Sequence, residues 1–180
     1  PGYQETLIET SLNGRYKGRK QAIHAGSYAV VPARPPLDRL SSFTVQAMIW
    51  PTTPHKGEQV VIGRWRERGK GGFELIVDAA GAVALKLGDG AGSVEIFSAK
   101  NPMIEREWYF AGASYDAETG RVAVYQEPLK RYATMKDAAR AAATSKLGPV
   151  DLRRGPLVIA ARIRRTVKGR VSTAAHYNGK

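Results

Sequence analysis

The sequence predicts an all-β fold, an antiparallel two-sheet β-sandwich, for two reasons. First, short segments alternate apolar residues with polar or small ones at a period of two, as in strands whose side chains face core and solvent in turn. Second, the breaks between them are rich in the residues that reverse a chain. The segments are 43–50, 59–65, 72–77, 82–87, 93–97, 108–115 and 121–125. Short strands at this regular spacing are typical of a sandwich.

Three connections between these segments have a specific turn chemistry. Residues 78–81 (Asp-Ala-Ala-Gly) predict a tight reversal in which the glycine supplies a positive φ. Asp89-Gly90 predicts a two-residue hairpin. Residues 116–120 predict a type I turn closed by a glycine bulge. Antiparallel neighbours follow from all three.

Within the strand at 72–77 the alternation assigns side chains to two faces. Phe73, Leu75 and Val77 share one face, and Glu74 and Ile76 share the other. We therefore expect the charged Glu74 on an outward face.

The segments that flank this central region are less regular. Residues 26–31 and 155–160 predict further strands, and 162–170 predict a basic hairpin or loop. An alanine-rich stretch follows a Thr-Met-Lys-Asp box, so a short helix around 134–144 is expected, with an ordered surface loop as the alternative.

Composition limits the function classes. At 180 residues the chain fits one domain, 1–180, and its 43% apolar content is ordinary for a globular protein. No apolar run approaches the roughly 20 residues that cross a bilayer, so no membrane partner is expected. The absence of cysteine excludes disulfides, thiolate metal sites and a cysteine nucleophile, and favours the cytoplasm. A start at Pro1 without methionine or signal peptide is expected of a piece of a larger chain.

The net charge of +12 is concentrated in the last third of the chain. Residues 1–129 hold 15 basic and 14 acidic side chains, whereas residues 130–180 hold 13 basic and 2 acidic ones. We expect a partner interface at these cations: Arg153, Arg154, Arg162, Arg164, Arg165, Lys168 and Arg170. These cations suit an acidic partner protein or a neighbouring domain. Alternatively, they are only solvated by water. Nucleic acid is disfavoured as a partner because no base-stacking aromatic residues are interleaved with the cations.

Several stretches resemble a known fold family. The chain resembles the laminin-G-like (concanavalin A-like) jelly roll over residues 24–180. The resemblance is carried by three stretches: 26–31, 43–51 ending in Trp-Pro, and 108–116 ending in Tyr-Asp. The resemblance implies a jelly-roll sandwich. It also implies that the segment 176–180 leads into a last strand, which this chain lacks, so that an exposed sheet edge is open to oligomer formation.

A second resemblance covers nearly the whole chain. Residues 1–5, 50–54, 88–90 and 175–180 resemble the sandwich region near the start of the large subunit in the N,N-dimethylformamidase family. It implies a parent that hydrolyses small formamides, with iron in a separate catalytic domain, and partners in the remaining domains of the parent and a small subunit. Nothing in this chain matches the iron site, so we expect no cofactor here.

No catalytic or metal-binding set is apparent in the sequence. Asp89 and Asp116 are too few for calcium, the three histidines lack ligand spacing, and the acid array of glycoside hydrolases is missing. Carbohydrate binding would use Trp65, flanked by Arg64 and Arg66, as the exposed tryptophan, whereas Trp50 and Trp108 are expected in the core. The leading hypothesis is a non-catalytic structural and assembly domain. A carbohydrate-binding module is the alternative.

Overall fold

The computed structural model describes residues 26–35, 37, 40–130, 137–147, 150, 155–167 and 170–180, without the side chains of 165–167 and 170. The regular structure in these ranges is β-strand, apart from 3₁₀ turns such as Pro54–Lys56. The strands are β1 (Ala29–Val31), β2 (Phe43–Ile49), β3 (Gln59–Arg66), β4 (Gly71–Val77), β5 (Val83–Asp89), β6 (Val94–Ser98), β7 (Tyr109–Tyr115), β8 (Arg121–Pro128), β9 (Ala139–Thr144), β10 (Leu157–Ile159), β11 (Arg162–Val167) and β12 (Arg170–Ala174).

The strands form two layers and a hairpin. A six-stranded sheet has the order β1-β10-β3-β4-β5-β6, a four-stranded sheet has the order β2-β7-β8-β9, and β11 pairs with β12. Every strand pairing is antiparallel. The predicted all-β sandwich is confirmed, as are strands in all seven central segments.

The core lies between the two sheets. The inward faces of β4 and β5 supply residues such as Leu75 and Leu85, and β7 supplies Tyr109, all with 0% of their surface exposed. Phe43 of β2 packs its ring on Phe73 of β4, with centroids 4.2 Å apart. The alternation of apolar residues therefore predicted this layer correctly.

The predicted helix around 134–144 is wrong over the residues that the structure describes. Residues 139–144 form β9, which pairs with β8 in continuous register from Gln126 opposite Ala139 to Arg121 opposite Thr144. Alanine favours a helix by only a few tenths of a kcal/mol per residue over most alternatives, and long-range pairing overrides so small a preference. Residues 134–136 lie outside the described residues.

The turns agree with prediction at two of three places. Gly81 and Gly120 have φ angles of 90° and 69°, as the tight reversal and the bulge require. The two-residue hairpin at Asp89-Gly90 is wrong, because β5 ends at Asp89 and β6 begins only at Val94. The Asp89 carboxylate accepts hydrogen bonds from backbone N–H groups further along the connection, which closes a wider loop.

The last residues of the chain return to the sandwich. The predicted strand at 155–160 forms as β10, and the basic segment 162–170 is a hairpin, β11–β12. After β12, residues 178–180 run antiparallel to residues 50–52, with a bridge between Pro51 and Gly179.

Candidate functional site

A cluster of charged side chains is buried on the outer face of the six-stranded sheet. Glu74 lies on the outward face of its strand, as expected, but is only 1% exposed, because β11 packs over β3 on this side of the sheet. Arg162, the first residue of β11, donates from Nε to the two Glu74 carboxylate oxygens at 2.8 and 3.0 Å. Gly63 lies opposite Glu74 in the register, and a Cβ there would be 2.6 Å from the Glu74 Cγ. The glycine therefore makes room for the carboxylate.

Each carboxylate of the cluster is paired with a cation. Arg162 Nη2 also donates to Glu58 Oε1 at 2.6 Å. Lys86 Nζ donates to both oxygens of Glu58, at 3.2 and 3.3 Å, and lies 3.9 Å from Glu74 Oε2. Glu67 Oε1, on a 40% exposed side chain, also lies 3.8 Å from Arg162 Nε. Three carboxylates thus share two cations, which compensates the cost of removing the buried charges from water.

Burial and pairing act in opposite directions on these groups. Burial raises the pKa of Glu74 above its ordinary value, and Arg162 and Lys86 offset part of that rise. Glu58 is less buried; burial opposes its ionisation, but Arg162 and Lys86 outweigh burial and lower its pKa. Burial also opposes the charge on Arg162, but its bonds to Glu74 and Glu58 raise its pKa.

Trp65 lies against this cluster. Its ring has Lys86 Nζ 4.8 Å and Arg162 Cζ 5.9 Å from its centroid, within the range of cation–π attraction. A Cβ at Gly88 would be 2.9 Å from Trp65 Cη2 and 2.0 Å from the Lys70 carbonyl oxygen, so only glycine fits at this position. The expectation that Trp65 is the exposed tryptophan is wrong: it is half-buried, whereas Trp108 is 44% exposed.

The two arginines beside Trp65 do not form one surface with it. Arg64 is 3% exposed, and its Nη1 donates to the backbone carbonyl of Leu37. Arg66 is half-buried. Side chains alternate along β3, so Trp65 points to the opposite face from its neighbours.

The predicted basic interface is only partly available in the structure. The side chain of Arg162 is 11% exposed and pairs with Glu74 and Glu58. The structure therefore corrects its predicted role from contact with an external partner to an internal ion pair. Arg164 is exposed. For Arg165 and Arg170 only the backbone is described, and three predicted residues lie outside the described residues: Arg153, Arg154 and Lys168.

A second surface, on the outer face of the four-stranded sheet, carries a group of exposed apolar side chains. We call Met48, Trp108, Phe110, Tyr125 and Leu129 the outer apolar face; all five except the half-buried Phe110 are between 38% and 59% exposed. The register places Met48 opposite Phe110, and the Leu129 N–H donates to the Trp108 carbonyl at 2.8 Å, so these residues are neighbours on adjacent strands. The core position expected for Trp108 is therefore wrong.

Trp50, the other tryptophan expected in the core, is half-buried at the end of β2. Lys180 Nζ lies 5.1 Å from its ring centroid. The structure thus places this tryptophan at the margin of the four-stranded sheet and not between the sheets.

A groove of about 610 Å³ crosses the same sheet beside the outer apolar face. Its floor is formed by small side chains that the register aligns across four strands, namely Thr44, Ser114, Ala123 and Ala142. Tyr125 forms one side, with Arg140 Cζ 5.6 Å from its ring centroid, and Asp116 and Arg121 also line the groove. Hydrogen bonds from the Thr119 hydroxyl and the Glu118 N–H lower the pKa of Asp116.

Neither surface gathers a metal-binding set. Among the described residues, no three of histidine, cysteine, aspartate and glutamate come close enough together to hold a metal ion. In the same part of the chain, no helix has the length and apolar content that a bilayer crossing requires.

Comparison with known proteins identifies the fold family. The model of the concanavalin A-like lectin/glucanases superfamily matches residues 24–178. The chain belongs to this superfamily. Among solved structures, it is similar to the CBM40 module of the Ruminococcus gnavus IT-sialidase bound to α2,3-sialyllactose, with a TM-score of 0.52, 16% identity, and coverage of 89% of this chain and 85% of that one.

Two curated relatives match the chain over its full length. It is 29% identical to the N,N-dimethylformamidase beta subunit of Alcaligenes sp and 25% identical to that of Paracoccus aminophilus, over 100% of this chain in both cases. The chain spans about a quarter (25%) of the length of these relatives. The likeness to a dimethylformamidase subunit is confirmed. The expectation above specified the large subunit, and the relatives' names correct this designation to beta.

Proposed function

We propose that this sandwich is a non-catalytic structural and assembly domain of an N,N-dimethylformamidase-like protein. The observation that carries the proposal is the outer apolar face, which soluble monomers rarely leave exposed without a use. The parent would hydrolyse small formamides with iron held in another domain, and would have a small subunit as a further partner. A cytoplasmic location belongs to the same proposal, supported by the absence of cysteine.

The occupant of the outer apolar face is another domain of the same parent. The region that the relatives share with this chain is 25% of their length. A parent protein of their kind therefore has further polypeptide that could cover the outer apolar face. Met48 and Leu129, 59% and 48% exposed, would lose the most solvent contact. Exposed Arg164 remains a candidate for an additional charged contact.

The non-catalytic part of the proposal is supported by the state of two carboxylates in the buried cluster. Glu74 is covered by β11 and bound by Arg162, so it has no open side from which to reach a substrate. Glu58 is held by the same arginine and by Lys86. Purified chain should therefore show no amide turnover, and measurable release of formate from a small formamide would contradict this part.

The assembly role is tested by placing charge on the outer apolar face. In a parent protein, Met48→Lys together with Leu129→Lys should abolish docking of the sandwich, measured by cross-linking and gel filtration. The 180-residue chain with the same changes should keep its melting temperature, because both side chains are exposed. Ile96→Lys, at a 51% exposed position on β6 of the other sheet, is the matched control. Normal assembly of the double variant would refute the proposal.

A carbohydrate-binding module is the second candidate, favoured by the groove of about 610 Å³ with Tyr125 at its side. An aromatic ring beside polar and charged groups is suited to a sugar, and the groove is more open to a ligand than Trp65, which is half-buried under two cations. A glycan array separates the candidates. Binding that is lost in Tyr125→Ala and kept in Trp65→Ala would support the groove as the sugar site. Loss only in Trp65→Ala would support the predicted site at Trp65. An array without any binding would remove this candidate function.

A further inference from the structure

A pocket of about 240 Å³ opens between the two sheets, on the side of the sandwich where β6 and β9 form the sheet edges. Its walls are mainly apolar: Ile96 and Phe97 come from β6, Val122 comes from β8, and the alanines 141–143 come from β9. Among the described residues that line it, Lys100 alone carries a charge. An apolar lining with few polar groups is typical of a small-molecule site.

The pocket exists because β9 carries alanine at inward positions. Ala141 and Ala143 lie opposite Val124 and Val122 in the register, and these valines face the core, with 0% and 2% of their surface exposed. Residues directly opposite each other on neighbouring strands share a face, so both alanines point between the sheets. Protein interiors are close-packed, and a methyl group in place of a larger side chain leaves unfilled space against Phe97.

Hydrogen bonds at both ends of β9 keep the pocket from closing. After β9, the Ser145 hydroxyl donates to Glu95 Oε2 at 2.6 Å, and the Lys146 N–H donates to the Glu95 carboxylate at 3.1 Å. Before β9, the Asn101 side chain donates to the Ala138 carbonyl at 3.4 Å. Glu95 lies in β6 and Asn101 follows that strand. The spacing of the two edges is therefore set before any ligand enters.

The volume of the pocket limits its ligand to a small molecule. A dry apolar cavity of about 150 Å³ holds one benzene molecule. At about 240 Å³, the pocket between β6 and β9 has room for one ring with a short side chain, or for an alkyl chain of similar size. Drug-sized ligands take pockets of about 300–1,000 Å³, so an oligosaccharide does not fit inside.

The charges around the pocket favour a ligand with an anionic head group. Donors already engage both carboxylates beside it: Glu95 accepts the bonds described above, and Asp78 accepts the Ser98 hydroxyl and two backbone N–H groups. The Ser98 hydroxyl oxygen in turn accepts the Lys100 N–H. Among the described residues, no carboxylate forms a salt bridge with the Lys100 ammonium group. An ammonium group beside an apolar pocket is suited to a carboxylate.

We propose that the pocket between β6 and β9 binds a small organic carboxylate, with its aromatic ring or short alkyl chain between the sheets and its carboxylate at the Lys100 ammonium. The apolar part would contact Phe97 and Val122, and Ala141 would set the depth of insertion. The pocket shares lining residues of β8 and β9 with the groove, but it opens between the sheets. The outer apolar face contributes none of its described lining, so the inference does not depend on the assembly role.

Titration of the 180-residue chain with phenylacetate, followed by amide NMR shifts, tests the proposal. We expect saturable shifts at Phe97, Val122 and Ala141, with a dissociation constant of about 1 mM or lower, as for a ligand of about ten non-hydrogen atoms. Benzyl alcohol, an uncharged analogue, should bind the same residues more weakly. Lys100→Met should weaken phenylacetate binding about threefold or more and leave benzyl alcohol binding unchanged. Lys70→Met, at another exposed lysine with a positive φ, is the matched control and should change neither.

Variants that fill the pocket provide an independent test. Ala141→Leu should abolish binding of both probes, because its side chain occupies the space that the ligand needs. Ala141→Val adds less volume and should weaken binding in a chain that stays folded, even where crowding by leucine destabilises the sandwich. Thr144→Leu, at an exposed position on the same strand, is the control and should bind phenylacetate like the unmodified chain.

Several results would overturn the inference. The absence of saturable shifts would do so, and so would unchanged affinity in Ala141→Val or in folded Ala141→Leu. Equal affinity for the two probes, or equal effects of Lys100→Met and Lys70→Met, would show that the ligand class is wrong. Loss of binding in Tyr125→Ala would place the probe in the groove on the outer face and not in this pocket.

Discussion

Replacing Arg162 by methionine tests whether the buried charge cluster fastens β11 to the sandwich. The change leaves Glu74, 1% exposed, without its main partner. Removing one member of a buried ion pair costs about 3–5 kcal/mol, and we expect the lower end, about 3 kcal/mol, because Lys86 remains 3.9 Å away. For 180 residues, an unfolding entropy of about 2.1 cal/mol/K per residue turns this into a melting temperature about 8 °C lower.

The pH dependence of that deficit follows from the direction of the pKa shifts. Burial holds the pKa of Glu74 above its ordinary value of 4.5, and loss of Arg162 would raise it further. A group with a raised folded-state pKa stabilises fully below its unfolded pKa and loses that contribution as pH rises. Glu58 loses a cation as well, which removes stabilisation that is present only above its unfolded pKa. Both effects make the deficit of Arg162→Met small at pH 4 and larger at pH 7.

Urea unfolding followed by circular dichroism at both pH values measures the deficit. Arg164→Met, at an exposed position on the same strand, is the control and should change the free energy of unfolding by less than about 0.5 kcal/mol. Glu74→Met combined with Arg162→Met should recover most of the loss, because no unpaired charge then remains buried. A deficit below about 1 kcal/mol, or one that is equal at pH 4 and pH 7, would refute this account of the cluster.

Two further predictions concern packing elsewhere in the sandwich. Tyr109→Phe should lower the free energy of unfolding by about 1–3 kcal/mol, since it removes the hydroxyl that donates to buried Asp137. Tyr125→Phe, on the exposed face, is the control and should have almost no effect. Equal losses of the two variants in urea unfolding would contradict the burial assigned to each tyrosine. Gly88→Ala should cost at least about 1–3 kcal/mol and change the fluorescence of Trp65, because the new Cβ would lie 2.0 Å from the Lys70 carbonyl oxygen and 2.9 Å from Trp65 Cη2. An unchanged melting curve and emission spectrum would contradict both contacts.

The sequence predicted the strands well because their information is local. The alternation in 72–77 and 82–87 gives both strand type and the inward set, and the structure confirms it in the burial of Leu75 and Leu85. Gly81 and Gly120 predicted their turns because a positive φ is a property of one residue.

What the sequence could not predict depends on long-range packing. Alternation divides a strand into two faces but does not say which outer face will be covered. Glu74 is buried by Arg162, 88 residues away in sequence, and Trp65 is covered through the same contact. Trp108 lies in an equally apolar segment but is 44% exposed, on a face that no described strand covers. A signal was present in Gly63 and Gly88, since a glycine inside a strand often marks a close approach of another group: a Cβ at Gly63 would meet the Glu74 side chain, and one at Gly88 would meet the Trp65 ring.

The most direct test of the assembly role is hydroxyl-radical footprinting of Met48 and Trp108, in the isolated chain and in a parent protein that contains it. Both side chains are readily oxidised, and they are 59% and 44% exposed here, so both should react in the isolated chain. The account predicts that both become protected in the parent while Tyr28, 40% exposed and outside this face, reacts equally in the two proteins. Equal oxidation of Met48 and Trp108 in the isolated chain and in the parent would contradict it.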